Sequence, residues 1–148
     1  MKFHHGEFTP KHPERYKGNF PIIYRSSWEL KTMMVFDSRP DVIRWSSESI
    51  VIPYFHPIKH RTARYFPDFH VDFKDKEGNI TRWIVEVKPA KECEVPVAKP
   101  RQRATTRMYN EQTFMINQAK WEAAEAYCRK NGLKFKVLTE KEIFANRR

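Results

Sequence analysis

Three side chains have the types and spacing to hold a metal ion against a phosphate: Asp68, which follows Pro67, and Glu86 and Lys88, which flank Val87. Two carboxylates set side by side repel each other, and the pair is tolerated where a cation sits between them. A divalent ion suits that place, because Mg²⁺ takes a few carboxylate oxygens, keeps several waters and completes its octahedron with a phosphate oxygen. An ammonium beside it, from Lys88, could hold or activate a water or stabilise charge developing on a scissile phosphate. Glu29 is a further candidate. It lies one turn before Met33 and two before Phe36 on the inward-leaning side of a helix, where a carboxylate wants a cationic partner. Its competing role is to close a capping box with Ser26.

That chemistry requires Asp68 and Glu86 to be neighbours, and the flanking residues arrange it. From Tyr65 to Lys74, Tyr65, Phe69, Val71 and Phe73 alternate with Asp68, His70, Asp72 and Lys74, which predicts a strand with one apolar face. Asp75 to Asn79 is a turn, and Ile80 to Lys88 is a second strand with Trp83, Val85 and Val87 on one face. A turn centred on Glu77 sets Phe69 opposite Val85, Val71 opposite Trp83, Asp72 opposite Arg82, and Asp68 opposite Glu86. A slip of one residue would put Phe69 against Glu86 and scramble both faces. The register that keeps the apolar face whole is the one that pairs the acids.

Around this hairpin, Ser26-Ser27-Trp28-Glu29 predicts a helix start, with Leu30, Met33 and Met34 as an apolar stripe and an end before Pro40. Trp45 to Tyr54 reads as a strand, with Ile50-Val51-Ile52 buried and Pro53 closing it. A long helix runs from about Met108 to Lys130 and stops at Asn131-Gly132, and Leu133 to Thr139 is a closing strand. The expected fold is mixed α/β: helix, three-stranded antiparallel meander, helix, closing strand. At 148 residues one domain is expected, 40% hydrophobic content can fill a core, and no apolar run is long enough for a membrane span. Residues 1–24 read as a basic, irregular arm carrying Lys2, Lys11, Arg15 and Lys17, ahead of a single domain at 25–148. The start has no apolar signal-peptide run, and Cys93 and Cys128 fit reduced thiols, so a soluble intracellular protein is expected.

Twenty-eight basic residues against 18 acidic ones leave a net charge of +10, which calls for an anionic partner, nucleic acid before membrane. Much of the surplus lies between Lys88 and Arg107, where prolines block regular structure. Lys91, Lys99, Arg101, Arg103 and Arg107 are therefore candidate contacts to a DNA backbone. Lys120 is a further candidate for a phosphate contact. It lies about 200° around an ideal helix from Gln118, so the two flank the apolar stripe on opposite sides and cannot both reach one metal. Gln118 is expected to face solvent and Trp121 to pack. Zinc is not expected: Pro57 separates His56 from His60, and the cysteines lack a CxxC spacing. His70 shares the face of Asp68.

Pro67-Asp68 followed by Glu86-Val87-Lys88 on adjacent strands resembles the PD-(D/E)xK nuclease superfamily, and Glu29 matches the acidic residue such nucleases often place on a preceding helix. The runs YRSSWE, PDF, EVKP, NQAKW and FKVLTE are similar to the catalytic domain of transposon-encoded endonuclease subunits. In size and layout the whole chain resembles the head completion nucleases of T-even-like tailed bacteriophages. The resemblance implies a restriction-endonuclease-like fold and a metal-dependent DNA nuclease of little sequence specificity. Glu29, Asp68, Glu86 and Lys88 would be catalytic, and the three acids would hold Mg²⁺, for which Mn²⁺ could substitute. It also implies double-stranded DNA as substrate, portal or neck proteins as partners, and a place in the host cytoplasm during assembly and in the virion. Two other readings are a transposase-type endonuclease working with a recombinase, and a non-catalytic connector that binds DNA or a portal.

Overall fold

The computed structural model describes residues 5–145. In chain order its elements are β1 (Gly6–Phe8), β2 (Ile22–Tyr24), α1 (Ser27–Ser38), β3 (Val42–Ser47), β4 (Ile52–His56), β5 (Arg61–Tyr65), β6 (Phe69–Lys74), β7 (Ile80–Val87), α2 (Ala104–Asn131), β8 (Lys134–Leu138) and α3 (Glu140–Ile143). The central sheet has the order β3-β6-β7-β8; β3–β6 and β6–β7 are antiparallel and β7–β8 is parallel. This is the mixed sheet flanked by helices that the sequence leads one to expect.

The β6–β7 hairpin has the register that the apolar pattern demands, with Phe69 opposite Val85, Val71 opposite Trp83 and Asp72 opposite Arg82. Its turn is held by the Asp75 carboxylate, which accepts from the Asn79 amide at 2.8 Å, and by Gly78 at φ 86°, a conformation that favours glycine. Pleating then divides the sheet. Phe69, Val71, Val85 and Val87 pack with Trp45 of β3 and with Met33 and Phe36 of α1. Each large side chain buried there contributes about 1.5–3 kcal/mol. On the other side Ile52, Tyr54 and Tyr65 pack with Trp121 and Ala124 of α2, and Phe135 and Val137 of β8 lie against them.

Four expectations are corrected. The first strand of the meander is Val42–Ser47, because Glu48 adopts a left-handed conformation (φ 50°) and breaks the segment read as Trp45 to Tyr54. Second, beyond the break, β4 and β5 form a separate two-stranded ribbon inserted between the first and second strands of the meander. Pro53 lies inside β4 and does not close it, since a two-stranded ribbon has an open edge that tolerates a missing donor. Tyr65 accordingly belongs to β5 and to the α2 side of the core, not to the face of Phe69 and Val71. Third, α2 begins at Ala104, four residues before the expected start, and Gly132 ends it in the left-handed conformation.

The fourth difference is the lead-in. Residues 5–24 carry β1 and β2, place Tyr16 and Ile22 in the core, and bond to α1. The Asp37 carboxylate accepts from the Lys11 and His12 amides at 2.8 and 3.0 Å, and the Arg15 guanidinium donates to the carbonyls of Asp37 and Arg39. Lys2 lies outside the described residues. No helix among those described is long and apolar enough to cross a membrane.

Candidate active site

Asp68 and Glu86 meet where the ribbon hands the chain to β6. The Val87 amide donates to Asp68 Oδ2 at 2.8 Å, and the Asp68 amide donates to Glu86 Oε1 at 3.3 Å, so each acid is held by the other's strand. Glu86 Oε1 also accepts from the Tyr65 hydroxyl at 2.9 Å. Asp68 Oδ1 and Glu86 Oε2 accept no hydrogen bond among the described residues. Each carboxylate therefore commits one oxygen to the fold and leaves one uncommitted.

Burial opposes charge on both acids. Glu86 is only 7% exposed, and its carboxyl is pushed above the ordinary range by burial, against the opposing pull of Lys88, the Tyr65 hydroxyl, the Asp68 amide and Lys120. Asp68 is pushed well above its ordinary value by burial first, then by the negative charges of Glu86 and Glu29. A buried and a half-buried carboxyl that repel each other and have free oxygens fit a divalent cation, which would relieve both effects at once.

Lys88 stands just past the end of β7, where its amide donates to the Leu138 carbonyl at 2.9 Å and extends the β7–β8 pairing by one residue. Its charge acts on both acids. Lys120 comes from α2. Its ammonium lies over the rings of Tyr54 and Tyr65, 5.9 and 5.6 Å from their centroids, beside the Tyr65–Glu86 bond. Burial lowers its pKa, with Glu86 and Asp68 pulling the other way and Lys88 adding to the lowering. Gln118, on the opposite flank of α2, lines a groove with Trp121, Glu122 and Lys136 and does not join the site.

Glu29 is close enough to Asp68 to act on its charge but does not join it in a ligand set. Among the described residues no three His, Cys, Asp or Glu side chains gather closely enough to hold an ion. Glu29 closes the start of α1 instead. Its amide donates to Ser26 Oγ at 3.1 Å, and its carboxylate accepts from the Arg25 amide and the Ser26 hydroxyl, each at 3.4 Å. Burial raises its pKa, and the nearby Glu48 adds to that. His70 turns to Asp72, with Nε2 3.1 Å from Oδ1, in a group anchored by Arg44 on the fully buried Asp72.

Sequence reasoning missed Tyr65 as a site residue, and Glu48 with it. The Glu48 amide donates to the Asp68 carbonyl at 3.0 Å and its carboxylate pairs with Arg25 at 2.6 Å, tying β3 and the start of α1 to the site. The polar run Ser46-Ser47-Glu48-Ser49 inside an apparent strand signals a break in the strand, but neither the left-handed conformation of Glu48 nor its contact with Asp68. Lys91, Lys99, Arg101, Arg103 and Arg107 are all exposed along the segment after Lys88, with Arg103 immediately before α2 and Arg107 on its first turn. Replacing Tyr65 by phenylalanine should cost about 1–2 kcal/mol in urea unfolding. It should also raise the Glu86 pKa further, because the lost bond favours the charged form. A stability unchanged at neutral pH would show that the hydroxyl contributes nothing to holding Glu86.

The profile of TnsA-like endonuclease N-terminal domains matches residues 39–140 of the chain, a span that includes Asp68, Glu86, Lys88 and Lys120 and begins after Glu29. The chain is 39% identical over 140 residues to the head completion nuclease of Enterobacteria phage T4, across 91% of this chain and 90% of that protein.

Proposed function

We propose, from the premise that the chain belongs to the TnsA-like endonuclease N-terminal family, that it is a metal-dependent DNA nuclease. The observation that carries this reading is the Asp68–Glu86 pair, a half-buried and a buried acid each with one uncommitted oxygen beside Lys88 and Lys120. Asp68 Oδ1 and Glu86 Oε2 would hold Mg²⁺ or Mn²⁺. A bound divalent cation supplies positive charge against the phosphate oxygens and acidifies water. Lys88 holds or activates the attacking water and offsets charge developing on the scissile phosphate. Lys120 binds a phosphate oxygen. Lys91, Lys99, Arg101, Arg103 and Arg107 track the DNA backbone, which predicts weak sequence preference and cleavage that falls with salt. Glu29 supports the site through its field on Asp68.

The role of the T4 relative and its near full-length match support a place in phage head completion, with cutting or trimming of DNA as heads are finished and joined to tails. That reading places the protein in the host cytoplasm during assembly and in the virion, with portal or neck proteins as partners. The family profile alone favours the transposase-type endonuclease as a second reading.

Supercoiled plasmid should be cut in Mg²⁺ or Mn²⁺ and left intact in EDTA. Calorimetry should find a cation site whose affinity rises with pH upward from the ordinary carboxylate range, because raised carboxyls must lose protons before they can bind. Cutting that survives EDTA, or no cation heat from a folded sample, would overturn the reading; the latter outcome would leave a connector role.

A further inference from the structure

The β4–β5 ribbon has no part in the site just described beyond Tyr54 and Tyr65, and its outer face is bare. Its inner residues Ile52, Tyr54 and Tyr65 pack on α2, while Pro53 pairs with Arg64 and Phe55 with Thr62 on an exposed outer face. From Ser49 to Pro67 there is no acidic residue, and Lys59, Arg61 and Arg64 make no ion pair among the described residues. Two phenylalanines share this surface, Phe55 at 60% and Phe66 at 43% exposure, and the Arg64 guanidinium lies 5.7 Å from the Phe66 ring centroid. The tip is braced: His56 Nδ1 accepts from the amides of Ile58 and Lys59 at 3.2 and 3.1 Å.

The outer face carries Arg64 with the exposed rings, Lys59 and Arg61 stand at the tip with Arg61 on the side of its partner His56, and the stripe runs through Phe66-Pro67 directly into Asp68. Nucleic acid offers the complement, phosphates flanked by sugar and base surfaces, and the major groove of B-DNA, roughly 12 Å wide, admits a two-stranded ribbon. An acidic protein would answer the cations, but it would not account for a stripe that ends at a phosphodiester-cutting site. We propose that the β4–β5 ribbon is a DNA-docking arm that grips the duplex beside the cut, with Lys59, Arg61 and Arg64 on phosphates and Phe55 and Phe66 against the sugar and base edge. The assignment rests on the nuclease reading for its substrate. It adds a DNA-binding surface separate from the segment after Lys88.

The test is binding of a fluorescein-labelled 30-base-pair duplex in EDTA, followed by anisotropy over a range of salt concentrations. The triple variant K59A/R61A/R64A should bind at least about tenfold more weakly at low salt. Its plot of log affinity against log salt should be shallower by about 2 to 3, since each phosphate no longer neutralised takes about 0.9 off the slope. Arg61→Ala alone, at the exposed tip, should take off about one such unit, and K59R/R61K/R64K should keep the wild-type slope. In Mg²⁺ the triple variant should show a raised KM with kcat little changed. Affinity and slope equal to wild type in the alanine variants would overturn the arm and leave the ribbon to a protein partner. A failure of the nuclease reading looks different: wild type would bind DNA with the same ribbon dependence and never cut it.

Discussion

An Asp68→Asn protein should cut DNA at least about a thousandfold more slowly than wild type and yet melt at a higher temperature at pH 8 in EDTA. With Asp68 as one of the two proposed anionic ligands, its removal forfeits several kcal/mol of charge stabilisation at the phosphate, and about 4 kcal/mol is a factor of a thousand in rate. The amide oxygen can still accept from the Val87 amide, so the local fold survives. The stability gain follows from protonation. Folding raises the Asp68 and Glu86 pKa values, so the folded state keeps protons that the unfolded chain has released. Stability of the metal-free wild type therefore falls as pH climbs from the ordinary carboxylate range through the raised values. A neutral side chain removes one charge from that conflict and should return about 1 kcal/mol, or roughly 3 °C. Saturating Mg²⁺ should reverse the order, since a ligand at a hundred times its Kd stabilises by about 2.7 kcal/mol only a protein that binds it. Calorimetric melts at pH 5 and pH 8, with and without Mg²⁺, check all of this. An Asp68→Asn protein that cuts normally, or that melts earlier at pH 8 in EDTA, would refute the metal site.

The part of this site that could be read from sequence was the part set by local pattern. Alternation on both strands and a turn at Asp75 to Asn79 left one register that kept Phe69, Val71, Val85 and Val87 together, and it brought Asp68 to Glu86. What was not legible depended on packing between segments distant in sequence. Tyr65 continues the alternation of Phe69 and Val71 across Pro67, and only the packing of the ribbon on Trp121 and Ala124 shows that it belongs to the other side. That same packing decides that Lys120 faces the acids while Gln118 does not. The Ser26–Glu29 cap was readable because it is local, and Glu29 proved to be held by it. The left-handed Glu48 was not, since nothing in a polar residue between serines specifies that conformation.

Lys88→Met should lower the cleavage rate by about a hundredfold to a thousandfold at saturating metal, the usual loss when a positioned proton-handling or charge-stabilising group is removed. It should also act on the acids. Lys88 is the largest influence lowering the Glu86 pKa against burial and also lowers that of Asp68, so its removal raises both and shifts cation binding to higher pH. The two effects separate experimentally: calorimetry across pH reports the shift in binding, and cleavage at metal saturation reports the chemistry. Lys88→Arg makes the distinction sharper. A guanidinium restores positive charge near Glu86 and should bring cation binding most of the way back, but it does not readily give up a proton and is bulkier than an ammonium. If Lys88 activates water, the arginine variant should bind metal like wild type and still cut slowly. If Lys88 serves only to hold the acids charged, the arginine variant should cut at nearly the wild-type rate. Lys120→Met should be milder than Lys88→Met, because Lys120 is held over the Tyr54 and Tyr65 rings and is the weaker of the two influences on Glu86. A Lys88→Met protein that cuts within tenfold of wild type at saturating metal would remove Lys88 from the chemistry altogether.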